Sequence, residues 1–181
     1  MKKIPLFVFI TMITGTLALK AQDTFSIEAV DSATGVIGDA GASCLGAIMP
    51  IAPHGALIIS DIIPGIGSIH TQAYWDSTNQ QYAHSLMLAG LNPQQILDSL
   101  NKNDVQAQPT IRQYGITLYN AGHPETGAYT GTGCDDYKNQ IIGRYYTIQG
   151  NTLLGQKVLD SMEARFLRTK GPVFAPSNPD Y

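Results

Sequence analysis

The sequence predicts an α+β fold built on antiparallel sheet. Strand-like alternation falls in blocks toward both ends of the chain, with a pair of helical patterns between them, and the strict strand–helix alternation of a parallel sheet is missing. Eighteen glycines supply the tight turns of a sheet-rich chain. With 44% hydrophobic and 14% charged residues, the 181-residue chain has the composition of one domain with a packed core.

The first strand is "TFSIEAV". Phe25, Ile27 and Ala29 fall on one side, Ser26 and Glu28 on the other. "DSATG" turns the chain, and "VIGDAGASCLG" is small and apolar enough to return as a buried second strand. In the stretch from Met49 to Trp75, β-branched residues and Gly/Pro punctuation favour strands and loops, with "IGSIHTQAY" the best strand. Two helices follow. "NQQYAHSLMLAGL" places Tyr82, Leu86 and Gly90 on one stripe, with Ala83 and Met87 beside it. "NPQQILDSLNKN" starts on the N-cap Asn92 with Pro93 in its first turn, and Ile96, Leu97 and Leu100 form its apolar face. "RQYGITLYNAGHPETGAYTGTG" predicts a hairpin turning at residues 123–127, and "RYYTIQGN" a further strand. "TLLGQKVLDSMEARFLRT" predicts a closing helix with Leu154, Val158, Met162 and Phe166 on its face.

Residues 1–21 have the form of a secretory signal peptide. Lys2 and Lys3 precede a 16-residue run broken only by Thr, Gly and Pro, and Leu19 and Ala21 occupy the −3 and −1 positions of a cleavage site. A membrane anchor is the competing reading, but the run is short of the roughly 20 residues a span needs. Cleavage predicts an exported protein, periplasmic or extracellular, without a stable membrane anchor. The removed segment holds three of the eleven Lys and Arg and none of the fourteen Asp and Glu, so the mature chain carries −6. No Lys or Arg occurs between Gln22 and Asn101, which argues against nucleic-acid binding. In an exported chain the two cysteines, Cys44 and Cys134, favour a disulfide, with two buried thiols as the alternative. Closing so long a loop would constrain the unfolded chain by on the order of 4 kcal/mol.

The four histidines (His54, His70, His84, His123) show no metal-binding spacing, so no metal and no other cofactor is expected. "GIGSIHT" and "GTGCDD" do not match a phosphate loop, and no GxSxG elbow marks a serine nucleophile. Thr24 is a candidate of another kind, because it follows the processing point closely and opens a strand. A threonine with a free α-amine can act as a nucleophile, the amine, with a pKa near 8, taking the hydroxyl proton.

"TFSIEAVDSATGVIGDAGASC", "GIGSIHTQAY", "LMLAGLNPQQILDSL" and "YTIQGNTLLGQKVLDSM", in that order, resemble the family known as domain of unknown function 1028. The likeness covers most of residues 24–172 and is most specific in the TFSI opening and the QGN block. Residues 22–172 are therefore expected to form the domain, and 173–181 a divergent tail. The family is similar in fold to the N-terminal nucleophile (Ntn) hydrolases. This implies a four-layer αββα sandwich of two antiparallel sheets, and hydrolysis of an amide bond by Thr24.

Carried onto matching positions, the resemblance makes Gln149 and Asn151 candidate oxyanion donors, with turn capping and backbone satisfaction as their ordinary role. Ser43, Thr71 and Gln72 become candidate substrate-binding residues. Some relatives carry a peptidoglycan-binding segment, which points to a small-molecule or cell-wall amide as substrate; a homo-oligomer is compatible with this reading. Three departures stand against the pattern. Gln22 and Asp23 would remain ahead of Thr24 after cleavage at Ala21. The lysine that proteasome-like relatives place on an early strand is missing. The resemblance ends after "TKGP", as in a chain truncated at its C-terminal end. The first two favour the alternative, a non-catalytic secreted binding or structural protein that keeps the fold; the third points to a defective fragment.

Overall fold

The computed structural model describes residues 23–44 and 55–169. The expected signal peptide and the divergent tail lie outside the described residues. Among the described residues no helix is long and apolar enough to cross a membrane.

Eight strands form two four-stranded antiparallel sheets. The strands are β1 (Thr24–Val30), β2 (Ile37–Ser43), β3 (Ser60–Ile63), β4 (Gly67–Ala73), β5 (Arg112–Asn120), β6 (His123–Thr130), β7 (Tyr137–Ile142) and β8 (Tyr146–Leu153). The first sheet runs β2-β1-β8-β7, the second β3-β4-β5-β6. Three helices accompany them: α1 (Ser77–Leu88), α2 (Pro93–Lys102) and α3 (Lys157–Arg168).

Helices α1 and α2 cover the outer face of the second sheet. Ile69, Tyr114, Ile116 and Leu118 from the strands meet Ala83, Met87, Ile96, Leu97 and Leu100 from the helices in one apolar cluster. Helix α3 covers the first sheet, where Leu159, Val158, Met162 and Phe166 meet Ala29, Tyr146 and Ile148. The two sheets face each other, with strand β1 against β4 and β5, and β5 against β8.

That arrangement puts the polar side of β1 inside. Ser26 and Glu28 are fully buried between the sheets, while Phe25 and Ile27 turn outward against α3. The same inversion holds on β5, where Gln113 and Thr117 point inward and Tyr114, Ile116 and Leu118 point to the helices. The protein thus has two oily layers under its helices and a hydrogen-bonded polar layer in the middle.

Helix α2 forms as its start signals dictate. The Asn92 side chain accepts from Gln95 N, the Gln95 side chain accepts from Asn92 N, and Pro93 sits at the first turn. Asp76 caps α1, accepting from Thr78 N at 2.8 Å.

Several expectations are corrected. The β5–β6 hairpin turns at Ala121-Gly122, where both residues have positive φ, not at residues 123–127, which belong to β6. Pro124 is tolerated there because β6 is an edge strand. Strand β7 has no counterpart in the sequence reading, and β3 falls in the stretch from Met49 to Trp75 read as strands and loops without being delimited. Leu154 precedes α3 and is fully exposed, and Leu159 takes the buried place on that helix.

The expected disulfide is absent: both cysteines are free, Cys44 exposed and Cys134 buried. Cys44 follows β2 and donates its N–H to Asp23, on one side of β1. Cys134 lies on the other side, next to Asp135, whose carbonyl accepts from Thr152 of β8. Two strand spacings, about 10 Å, exceed the roughly 7 Å Cα separation a disulfide spans. The Cys134 sulfur instead donates to Arg112 O at 3.3 Å, and burial pushes its thiol pKa up to about 11.

Candidate functional site

Thr24 sits at one end of the polar layer. Its ladder partners are Ser43 on β2 and Asn151 on β8. Residues directly opposite in an antiparallel pair point to the same face, so all three side chains enter the space between the sheets. Thr24 Oγ1 and Ser43 Oγ lie 2.9 Å apart. Thr24 is only 5% exposed. Its nitrogen is in peptide linkage to Asp23, whose carbonyl accepts from Cys44 N at 3.1 Å and so prolongs the β1–β2 ladder by one residue.

Of the residues proposed from the sequence, Ser43 and Asn151 are thus brought beside Thr24. Gln149 and Gln72 share the buried face but stand deeper. Gln149 Nε2 donates to Ser26 Oγ at 2.6 Å and to Glu28 Oε2 at 2.8 Å, which commits both of its hydrogens. Gln72 Nε2 donates to Gln113 Oε1 at 2.7 Å, and its Oε1 accepts from Ser26 at 2.7 Å. Thr71 is on the opposite face of β4, paired with Tyr114 on the helix side, and does not approach Thr24.

Four inward-facing residues that the sequence reading did not single out complete the layer: Glu28, Asp39, His70 and Gln113. The His70 ring lies between two carboxylates, Nδ1 at 3.1 Å from Glu28 Oε1 and Nε2 at 3.1 Å from Asp39 Oδ2. Glu28 also accepts from His70 N and from Thr147 Oγ1, each at 2.8 Å. Asp39 accepts from Ser60 at 2.6 Å and Ser68 at 2.8 Å.

Burial pushes the Glu28 carboxyl up, outweighing the pull of His70 and of its hydrogen-bond donors. Burial opposes charge on His70 as well, but the facing carboxylates win and raise its pKa above 6.5. Asp39 is less enclosed. Burial raises it, yet the hydrogen bonds from His70, Ser60 and Ser68 prevail and lower it to about 2.

Tyr74 and Asp135 join the two sheets at the Thr24 end. Tyr74 Oη donates to Asp135 Oδ2 at 2.9 Å, and Asp135 O accepts from Thr152 N. Three non-glycine residues here adopt left-handed backbone: Ala73 (φ 67°), Asp136 (φ 48°) and Thr152 (φ 55°). Such conformations persist only where surrounding contacts over-determine them, and they concentrate at functional sites.

The cation nearest this end of the second sheet, Arg112, is not available to Thr24. It points to the helix side, where Nε donates to Asp104 Oδ2 at 2.7 Å and the guanidinium also contacts Gln106 and Tyr74 O. Burial would raise the Asp104 carboxyl, but Arg112 and neighbouring donors hold it well below the usual carboxylate range. An apolar recess of about 350 Å³, lined mainly by Ile27, Ala29, Val36, Ala40 and Phe166, lies on the outer face of the first sheet. It opens on the face away from the Thr24 side chain.

Among the described residues no group of three or more His, Cys, Asp or Glu side chains is placed to hold a metal ion. Thr24, Ser43 and Asn151 offer a hydroxyl pair and an amide donor, groups suited to attack on a carbonyl and to hydrogen bonding of the resulting oxyanion.

No curated protein matches the sequence. Among solved structures the chain is similar to protein SPO2555 from Silicibacter pomeroyi, a DUF1028 protein, with a TM-score of 0.69 and 21% identity. The match covers 83% of this chain and 64% of that one, so this chain spans less than two thirds of its solved neighbour. At that identity the likeness is one of fold. The model of a family of unknown function, DUF1028, matches residues 24–176, opening on Thr24 itself, and the chain belongs to that family.

Proposed function

We propose that this is an exported Ntn-type hydrolase of amide bonds, with Thr24 as nucleophile once the bond to Asp23 has been opened. The observation that carries the reading is the inward-facing row of Ser43, Thr24 and Asn151 on three adjacent strands, at the end of the inter-sheet space. The released α-amine of Thr24 takes the Oγ proton, and Oγ bonds to the substrate carbonyl carbon. Asn151 Nδ2 donates to the oxyanion. The tetrahedral intermediate collapses, the C–N bond breaks, and the ammonium proton passes to the leaving amine. Water, activated by the same amine, then hydrolyses the Thr24 ester and restores the hydroxyl. The substrate is a small-molecule or cell-wall amide. The layered architecture suits the Ntn type, with the active threonine opening an inner strand.

One observation favours a second reading, a non-catalytic secreted binding or structural protein. The Asp23 backbone is held by Cys44 in continuation of the ladder, and this intact linkage removes the base from Thr24.

The intact mass of the protein recovered after export separates the two. A mature chain beginning at Thr24 supports the hydrolase; a stable start at Gln22 sinks the free-amine mechanism. Thr24→Ala is expected to abolish amidase activity, and a variant that keeps it removes Thr24 as nucleophile.

A further inference from the structure

We propose that Gln113 is a positioning residue for this site, resting on the reading of Thr24 as nucleophile: it fixes which way the amide of Asn151 donates. Gln113 lies on β5, in the opposite sheet, and is fully buried. Its two Nε2 hydrogens are shared among three acceptors, the backbone carbonyls Gly150 O at 2.9 Å and Asn139 O at 3.2 Å, and Thr130 Oγ1 at 2.8 Å. A carbonyl oxygen accepts and never donates. The amide of Gln113 therefore cannot be reversed, and its Oε1 must face the other way. There it accepts from Asn151 Nδ2 at 3.0 Å and from Gln72 Nε2 at 2.7 Å.

That single orientation propagates. With Oε1 of Gln113 facing it, Asn151 presents nitrogen rather than oxygen, and its Oδ1 turns to accept from Thr152 Oγ1 at 3.3 Å. One Nδ2 hydrogen goes to Gln113, and the second remains for an oxyanion formed at Thr24, the ladder partner of Asn151. In the other direction, Gln72 must accept from Ser26, Ser26 from Gln149, and Gln149 ends on the Glu28 carboxylate. Backbone carbonyls accept at one end of the chain and Glu28 at the other; from Gln149 to Gln113 every donor points toward the carbonyls, and the second Gln149 hydrogen goes to Glu28. Without Gln113, the Asn151 amide could present either its oxygen or its nitrogen, and oxygen would repel an oxyanion.

The test uses the processed chain beginning at Thr24 and a β-lactone, whose ring carbonyl acylates the Thr24 hydroxyl as the C–O ring bond opens. The variants are Gln113→Met, Asn151→Asp and their double, each brought to equal folded fraction by near-ultraviolet dichroism. Asn151→Asp is expected to lower the limiting acylation rate about a hundredfold, as loss of one oxyanion donor does. Gln113→Met should lower it about tenfold, in the range of lost outer partners, with the half-saturating lactone concentration unchanged. The double variant should be no slower than Asn151→Asp alone.

Additive losses, or a folded Gln113→Met with the wild-type rate, overturn the proposal. A second readout stands apart from acylation: in the nitrogen-correlated NMR spectrum the Asn151 side-chain amide proton that donates to Gln113 should be shifted downfield by its hydrogen bond and return toward the free-amide position in Gln113→Met. An Asn151 amide shift left unchanged by the substitution overturns the positioning role. Wild type that is not acylated at Thr24, with the shift still lost in Gln113→Met, overturns the hydrolase reading and leaves Gln113 setting the amide orientation alone.

Discussion

Glycine 115 shows how tightly the inner layer is specified. A Cβ built there would stand 2.1 Å from Oε1 of Gln149, whose amide is pinned by Ser26 and Glu28 and cannot swing away. Gly115→Ala should destabilise the fold by about 1–3 kcal/mol, measured by urea unfolding; an unchanged midpoint would mean that Gln149 is looser than its hydrogen bonds indicate. The cysteines give a second residue-scale expectation. Iodoacetamide should alkylate Cys44 in the native protein and leave Cys134 unmodified until denaturant is added, since only a thiolate reacts readily and burial raises the Cys134 thiol to about 11. Reductant should leave the melting temperature unchanged. An even cysteine count and an expected export favoured a bridge in the sequence; the strand order that keeps the two sulfurs apart was invisible there.

At the scale of elements, the helices owe their place to different forces. Removing the Leu159 side chain, fully buried under α3, should cost about 2–5 kcal/mol. Asn92→Ala, which breaks the capping box of α2, should cost about 1 kcal/mol; denaturant melts of the two variants check the ratio, and similar losses would contradict it. Helix α2 was legible because its cap, proline and apolar face all occur within ten residues. Strand β1 was legible in period but not in sense. Its alternation showed which residues share a face, and only the second sheet reveals that Ser26 and Glu28 lie on the buried one. Strand β7, "YKNQII", and strand β3, "SDII", are short and carry little alternation, and both lie at sheet edges, where packing asks little of the sequence. Within the site, Thr24, Ser43 and Asn151 were found through the family's motifs. Gln113 was missed although its signal was present: Gln113, Gly115 and Thr117 alternate with Tyr114, Ile116 and Leu118, as on a strand whose inner face is polar.

For the whole molecule, the charged cluster of Glu28, His70 and Asp39 ties one sheet to the other and makes stability depend on pH. His70 has a folded pKa raised above 6.5, so its stabilisation is complete below that value and drains away as pH rises through the raised pKa. Glu28, raised above 4.5, acts in the same direction. Asp39 is lowered from 3.8 to about 2, so its contribution is complete above 3.8 and is lost as pH falls toward 2. Thermal melts from pH 2 to 9 should peak between about 4 and 6. In His70→Gln the alkaline decline should flatten; a decline of unchanged slope would show that other groups cause it.

The two sheets also differ in how they use the chain. The second sheet and its helices come from one uninterrupted stretch, β3 through β6, whereas the first joins β1 and β2 to β7 and β8 from the far end. Pairing β1 with β8 closes a loop of more than a hundred residues, and such closures are slow because their entropy is lost before the contacts form. Folding should therefore begin in the middle of the sequence and finish at its ends. In pulse-labelled hydrogen exchange, amides of β4 and β5 should gain protection before those of β1 and β8. Thr24 then meets Asn151 only in the last step, so the reactive arrangement is withheld from every partly folded form of the chain.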